Sequence, residues 1–226
     1  MIFYCFRVFP AFLIFVVTCQ TQAQQTEFYW QPETSFNYSP PNRWSFNWEL
    51  NNRSQLDADP KGFQAKHLEV SHFTTYESGF YGKISLGVRY RNRDWFEARS
   101  NEFRLTEQYN YAKYYNQFRL GHRARFEQRF FDDETVFRLR YRLALDFPLQ
   151  GITLNTGEFY TALSLETLYS LGKQQKLEFS QRLNWTIGNQ IQDNLKIQVS
   201  VEYRKEDYLN PTANRAFIYT SSVFNF

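Results

Sequence analysis

Cysteine is nearly missing from this chain. Its two cysteines, Cys5 and Cys19, both fall within the first nineteen residues. If that segment is removed on export, what remains has no disulfide, no thiolate metal site and no cysteine nucleophile. There are only three histidines, and the sequence has no phosphate-cradling glycine loop, no HExxH pair and no acidic metal cluster. No cofactor is implied. Net charge is also slight: +3 over 226 residues, too little to argue for nucleic acid as a partner. Beyond the N-terminus no apolar run approaches the ~20 residues of a membrane helix. A membrane form of this chain must therefore cross with strands, because only helices and closed barrels satisfy their backbone in lipid.

Aromatic residues, by contrast, are abundant at 20 % of the chain. The start, MIFYCFRVFPAFLIFVVTCQTQAQQ, has the layout of a secretory signal. Arg7 supplies the positive end, Val8 to Val17 a short apolar stretch, and Thr21-Gln22-Ala23 small residues for cleavage. Residues 1–23 are thus predicted to be a cleavable signal peptide and residues 24–226 a single domain. Lipidation at Cys19 is the alternative, although Thr18 and Gln20 make a poor lipidation box.

From there on, apolar and polar residues alternate. In RFEQRFFDDETVFRLRYRLAL, residues 125–145, Arg125, Glu127, Arg129, Arg138, Arg140 and Arg142 share one parity within each half. Phe126, Phe130, Phe137, Leu139, Tyr141 and Leu143 share the other. A period of two means strands, and Asp132-Asp133-Glu134 supplies a turn. The same alternation recurs in Trp44–Leu50, Phe80–Arg91, Glu102–Gln108, Phe118–Arg125, Phe159–Glu166, Leu177–Trp185 and Leu195–Arg204. These segments are longer than the ~5–6 residues typical of soluble strands and suit the ~9–11 of a tilted membrane strand.

The fold class expected is all-β: a single antiparallel transmembrane β-barrel of about 10–12 strands with a charged Arg/Glu lumen. Eleven candidate strands are visible, but an even number is expected when both ends share one side. Residues 24–41 are expected either to lie partly outside the wall or to contribute a further strand. Tight turns are expected at Ser39–Asn42, Glu77–Gly79 and near Lys113, with longer loops at 53–62, 92–100 and 206–214. A three-residue turn at 77–79 would pair Val70 with Leu86 and Ser71 with Ser85. Glu107 falls on the apolar face by strict alternation, and a β-bulge near 105–107 would turn it inward.

The lumen charge cluster expected is Glu102, Arg104, Arg119, Arg123, Arg125, Glu127, Arg129, Arg138, Arg140 and Arg142. Two registers are open, one placing Glu127 opposite Arg140 and one opposite Arg138. Either surrounds its carboxylate with guanidinium groups, whose planar fork suits carboxylates. Glu102 would meet Arg125 or Arg123. Trp44, Trp95, Tyr109, Tyr111, Tyr114 and Tyr115 suggest interfacial aromatic belts. The last residues, SSVFNF, place Phe224 and Phe226 in the pattern that outer-membrane assembly machinery reads. His67 with Ser71, Ser85 and Glu69 is the one constellation an enzyme would use.

The runs Glu102-Phe-Arg-Leu-Thr-Glu107-Gln108, Arg123-x-Arg125-Phe-Glu127-Gln-Arg129-Phe130 and Arg138-Leu-Arg140-Tyr-Arg142 resemble the family labelled domain of unknown function 2490. The resemblance implies an outer-membrane barrel of a Gram-negative bacterium and brings no activity or catalytic residues. The expected function is a narrow pore or transporter for small, anionic solutes, or a closed structural barrel. The alternatives are a barrel enzyme acting on lipids or an accessory subunit of an outer-membrane complex. A non-enzyme is expected, with outer-membrane lipid and the assembly machinery as partners.

Overall fold

A computed structural model describes residues 26–58, 62–172, 177–209 and 213–226. The expected signal peptide lies outside these residues. Eleven strands follow in order: β1 Thr26–Tyr38, β2 Trp44–Ala58, β3 Gly62–Glu77, β4 Gly82–Asn92, β5 Glu102–Tyr115, β6 Phe118–Phe130, β7 Thr135–Pro148, β8 Phe159–Gly172, β9 Glu178–Gln192, β10 Leu195–Glu206 and β11 Ala213–Asn225. Each pairs with its sequence neighbour, and β1 pairs with β11, so the sheet closes into a barrel.

The expected all-β barrel is therefore present, and its eleven strands fall within the expected ten to twelve. The even count is not. An odd ring can close only if its first and last strands run parallel, and β1 and β11 do so from Thr26↔Asn214 to Asn37↔Asn225. Residues 26–38 are a full wall strand, and Thr26 and Phe226 lie at opposite mouths. Rings lock the seam: Tyr29 stacks on Phe217 at 4.9 Å and Phe36 on Phe224 at 5.2 Å. At the mouth where the chain ends, Phe226 N–H donates to the Asn37 carbonyl at 2.8 Å, and Ser39 N–H donates to the Phe226 carbonyl at 2.9 Å.

The distribution of side chains is that of a protein turned inside out. Among the described residues only Ala58, Val136, Leu168 and Phe217 are buried apolar residues, whereas 23 buried residues are polar or charged. Outward positions are apolar along each strand, as in Ile84, Leu86, Val88 and Tyr90 of β4. Charged residues are rarely buried unless paired, so the interior must supply partners for its own charges.

Several local expectations are corrected. The β3–β4 connection spans 78–81, with Gly79 at φ 115°, so Thr74 rather than Val70 faces Leu86. The β5–β6 turn is Asn116-Gln117, with Asn116 at φ 50°, three residues beyond Lys113. Residues 53–58 continue β2 instead of forming a loop. Loop lengths do not sort by mouth: the ten residues 149–158 share a mouth with the two-residue turns 116–117 and 193–194. No bulge occurs near 105–107, and Glu107 stays outward between Leu86 and Phe126. Tyr109 lies midway along β5, away from either rim.

Two glycines face inward under aromatic rings. A Cβ on Gly87 would sit 2.3 Å from the Phe73 ring, and one on Gly188 would sit 2.5 Å from Tyr160. Each ring fills the space its cross-strand glycine leaves, which pins the register of β3–β4 and β8–β9. Gly121 differs, since the nearest atom to an added Cβ is 3.9 Å away. Gly87→Ala is therefore expected to lower stability in urea titrations by about 1–3 kcal/mol, the usual scale of overpacking. Gly121→Ala should be near neutral. Equal effects from the two would show that the Phe73 ring is free to move aside.

Candidate functional site: an arginine belt in the lumen

Inward positions on adjacent strands lie side by side, so alternation along each strand becomes a charged belt around the barrel. Glu69 on β3 accepts from Arg89 at 2.7 Å and Arg91 at 2.5 Å, both on β4. Arg91 also reaches Glu102 on β5 at 3.0 Å. Arg104 joins Glu102 to Glu127 on β6, the second contact being 3.4 Å. Arg140 on β7 joins Glu127 at 2.8 Å to Glu166 on β8 at 2.5 Å. Glu166 also takes Arg123 at 2.7 Å and Arg182 of β9 at 3.9 Å.

Across the seam, an aromatic ring takes over from the carboxylates. Phe217 of β11 is fully buried, with Arg204 of β10 3.7 Å and Arg53 of β2 4.9 Å from its centroid. Guanidinium groups over a ring face are attracted by its quadrupole. A chain of cation contacts thus reaches almost the whole way round the wall.

Glu102 is the hub. Arg129 holds it with two parallel bonds, 2.8 Å to Oε1 and 2.9 Å to Oε2. Arg91, Arg93 and Arg104 complete a set of four arginines on one carboxylate that is 1 % exposed. The expected contact with Arg125 or Arg123 does not form. Those residues lie lower on β6, opposite Gln108 and Asn110. Of the two β6–β7 registers, the structure has Glu127↔Arg138, Arg125↔Arg140 and Arg123↔Arg142. Glu127 nevertheless bonds Arg140, one step along the diagonal, and its Oε2 has no donor among the described residues.

The other expected cluster members occupy defined places. Arg123, Arg125, Arg129, Arg138, Arg140 and Arg142 all line the central cavity. Arg119 sits at the mouth, ion-paired to Asp146 at 3.0 Å and partly exposed. Arg138 finds Ser170 at 2.8 Å, Arg125 finds Gln108 at 2.8 Å, and Arg53 finds Gln31 at 3.0 Å. Glu69, Arg91, Glu166, Arg182 and Arg204 also belong to the belt. Alternation alone put each of them on a polar face, so the signal was present. Their place in one network depends on register.

The central cavity has a volume of about 580 Å³ and is lined by fourteen arginines against seven glutamates. Glu102 and Glu127 lie behind that lining. Arg93, Arg129, Arg138 and Glu178 are shared with a cavity at one mouth. Arg142, Ser164, Asn184 and Gln198 are shared with another at the opposite mouth. The three spaces follow one another along the axis. The hydrolase-like constellation does not assemble: His67 is inside, but Ser85 faces Thr75 and bonds its hydroxyl at 2.8 Å, well along β3 from His67.

Comparison with known proteins adds a family. The family model described as Protein of unknown function (DUF2490) matches residues 29–215, nearly the whole barrel. No curated protein and no solved structure matches the chain.

Removing a belt carboxylate leaves arginines facing one another. Breaking a dry buried pair costs about 3–5 kcal/mol; with water in the lumen the unsatisfied-group scale of about 1–3 kcal/mol applies to Glu127→Gln. Glu102→Gln strands four arginines and should cost more. Both losses should partly recover in sulfate, whose anions can sit between the guanidinium groups. Urea unfolding in detergent, with and without sulfate, checks this. Variants as stable as the parent at low salt would mean that the carboxylates do not hold the belt together.

Proposed function

Since the chain belongs to the DUF2490 family, whose name assigns no activity, we propose from the geometry that it is an outer-membrane barrel whose arginine-lined lumen admits small anions. The observation that carries this reading is the cationic excess in a cavity contiguous with spaces at both mouths. Fourteen arginines face seven glutamates across it. Rings of one charge sign select ions of the other in pores.

Support for the membrane comes from the outer wall. Large apolar side chains stand outward around the ring, and the closed sheet leaves no unpaired edge for lipid to meet. Trp44, Tyr114 and Tyr115 sit toward one mouth, and Trp95 lies in the 93–101 loop at the other, as aromatic belts would. Glu107 is the misfit, because a carboxylate is unfavourable against lipid. Phe224, stacked on Phe36 at the seam, and the exposed Phe226 just beyond β11 stand at the end of the strand that closes the ring, where the assembly machinery would meet them. The expected signal peptide fits export to a Gram-negative outer membrane.

Purified barrel in planar bilayers under a potassium chloride gradient should give steady steps with an anion-preferring reversal potential. Arg142→Glu should weaken that preference. Silence in well-inserted samples would favour the closed structural barrel, in which the belt only fills the lumen. Cation preference would overturn the reading outright.

A further inference from the structure

Two ionisable side chains of opposite type in the lumen make neither a hydrogen bond nor an ion pair among the described residues. Glu33, on β1, lines the central cavity and has no hydrogen-bond or ion-pair partner among the described residues. Arg142, on β7, lines the same cavity and has none either. This is unexpected where fourteen arginines surround seven glutamates. Glu166, the cross-strand neighbour of Arg142 on β8, is already taken by Arg123 and Arg140.

Topology explains why the two do not neutralise each other. β1 lies five steps round the ring from β6 in one direction and five from β7 in the other. They occupy opposite walls. Height can be read from the register. Followed through β11, β10, β9 and β8, the pairing leads from Glu33 to Pro148. Followed through β2 to β5, it leads to Asn51, Glu69, Arg91 and Glu102, and, with the registers extended one residue past β6 to Phe131, on to Glu134 just before β7. The two routes end fourteen residues apart, which is the stagger of the closed barrel. Sharing that stagger evenly among the eleven pairs brings Arg142 level with Glu33.

Each charge has neighbours of its own sign. Arg123 is the cross-strand partner of Arg142. Glu49, on β2, lines the cavity beside Glu33's wall and has only a distant cation, Arg89 at 3.5 Å. The inner face of β6 and β7 holds seven arginines against Glu127 and Asp146, while β1 and β2 carry only Arg53 against Glu27, Glu33, Glu49 and Asp57. The lumen is polarised from wall to wall as well as cationic overall.

We infer that the central cavity is a binding site for a dipolar solute, whose anionic group sits on Arg142 and Arg123 and whose cationic group faces Glu33 and Glu49. A plain anion would satisfy only one wall. A molecule carrying both charges on a chain of matching length satisfies both and gains from the field between them. This rests on the anion-admitting lumen proposed above and names the class of solute it favours.

The test titrates the full barrel in detergent, at low salt, by calorimetry. The probes are straight-chain ω-amino acids of increasing length, with matched alkanoates and alkylammonium ions. One length should bind at least about tenfold tighter than its alkanoate, a difference of about 1.4 kcal/mol. Glu33→Gln should abolish that advantage and leave alkanoate binding in place. Arg142→Gln should weaken both ligands about tenfold. Glu33→Gln is nearly isosteric, so the first comparison survives even if the arginine variant does not fold. Alkanoates binding as well as ω-amino acids at every length, or an advantage unchanged by Glu33→Gln, would overturn the inference. Conduction in bilayers would then still uphold the anion path. A length preference with silent bilayers would keep the site and discard the path.

Discussion

Everything in this molecule follows from the pairing of β1 with β11. Until those strands meet, the sheet has two edges with unpaired backbone groups, and neither face is an inside. Once they meet, one set of alternating side chains is enclosed and the other is left outside. The seam is parallel and joins residues far apart in sequence, such as Trp30 and Ile218. Side chains reinforce it: the Trp30 indole donates to Thr220 at 3.1 Å, and the Asn37 amide donates to Asn225 at 3.0 Å. The terminal Phe226 is bonded into the end of β1. A parallel ladder is slightly weaker per residue than an antiparallel one, so these additions fall where they are needed.

Closure also dictates what the interior holds. With the apolar side chains outside, the enclosed wall has no core to pack and its polar groups must satisfy one another. Arginine suits this because one guanidinium bridges two carboxylates, as Arg140 does between Glu127 and Glu166. Buried ion pairs are weak contributors to net stability, but they are costly to break. The belt therefore acts chiefly as a specification. It fixes which arginines are spoken for and, by subtraction, which charges remain available to a solute. Arg142 and Glu33 stand out because their side chains keep neither a hydrogen bond nor an ion pair among the described residues.

Much of this was legible in the sequence, and the reason is geometric. Alternation with period two fixes the face of every residue, and faces are all that is needed to read a barrel with a charged lumen. Register is another matter. Sliding the β3–β4 pair by four residues, from Val70 opposite Leu86 to Thr74 opposite Leu86, leaves every face unchanged, so alternation cannot detect it. The weight of Glu102 was hidden for the same reason, since its four arginines come from β4, the 93–101 loop, β5 and β6. Strand parity was hidden more deeply. A parallel closing pair leaves no local mark, because the partners of Thr26–Asn37 lie at the other end of the chain. Glu107 is the reverse case. Alternation placed it outward correctly, and the bulge invoked to turn it inward is not there.

The parallel seam is also the most directly testable feature. Thr34 and Ser222 are cross-strand partners on the outer wall, and both are small. In a chain carrying Thr34→Cys and Ser222→Cys, with Cys5 and Cys19 changed to serine, mild oxidation of the folded barrel should form one disulfide. On a denaturing gel after boiling, that disulfide should hold the chain in a loop that migrates faster and reverts on reduction. The account predicts this shift for the Thr34/Ser222 pair and none when the second cysteine is placed instead at Asn214, near the far end of β11. Cross-linking of Thr34 to Asn214 but not to Ser222 would mean that β1 and β11 run antiparallel or fail to meet as described. The eleven-strand ring, and the lumen built on it, would then be wrong.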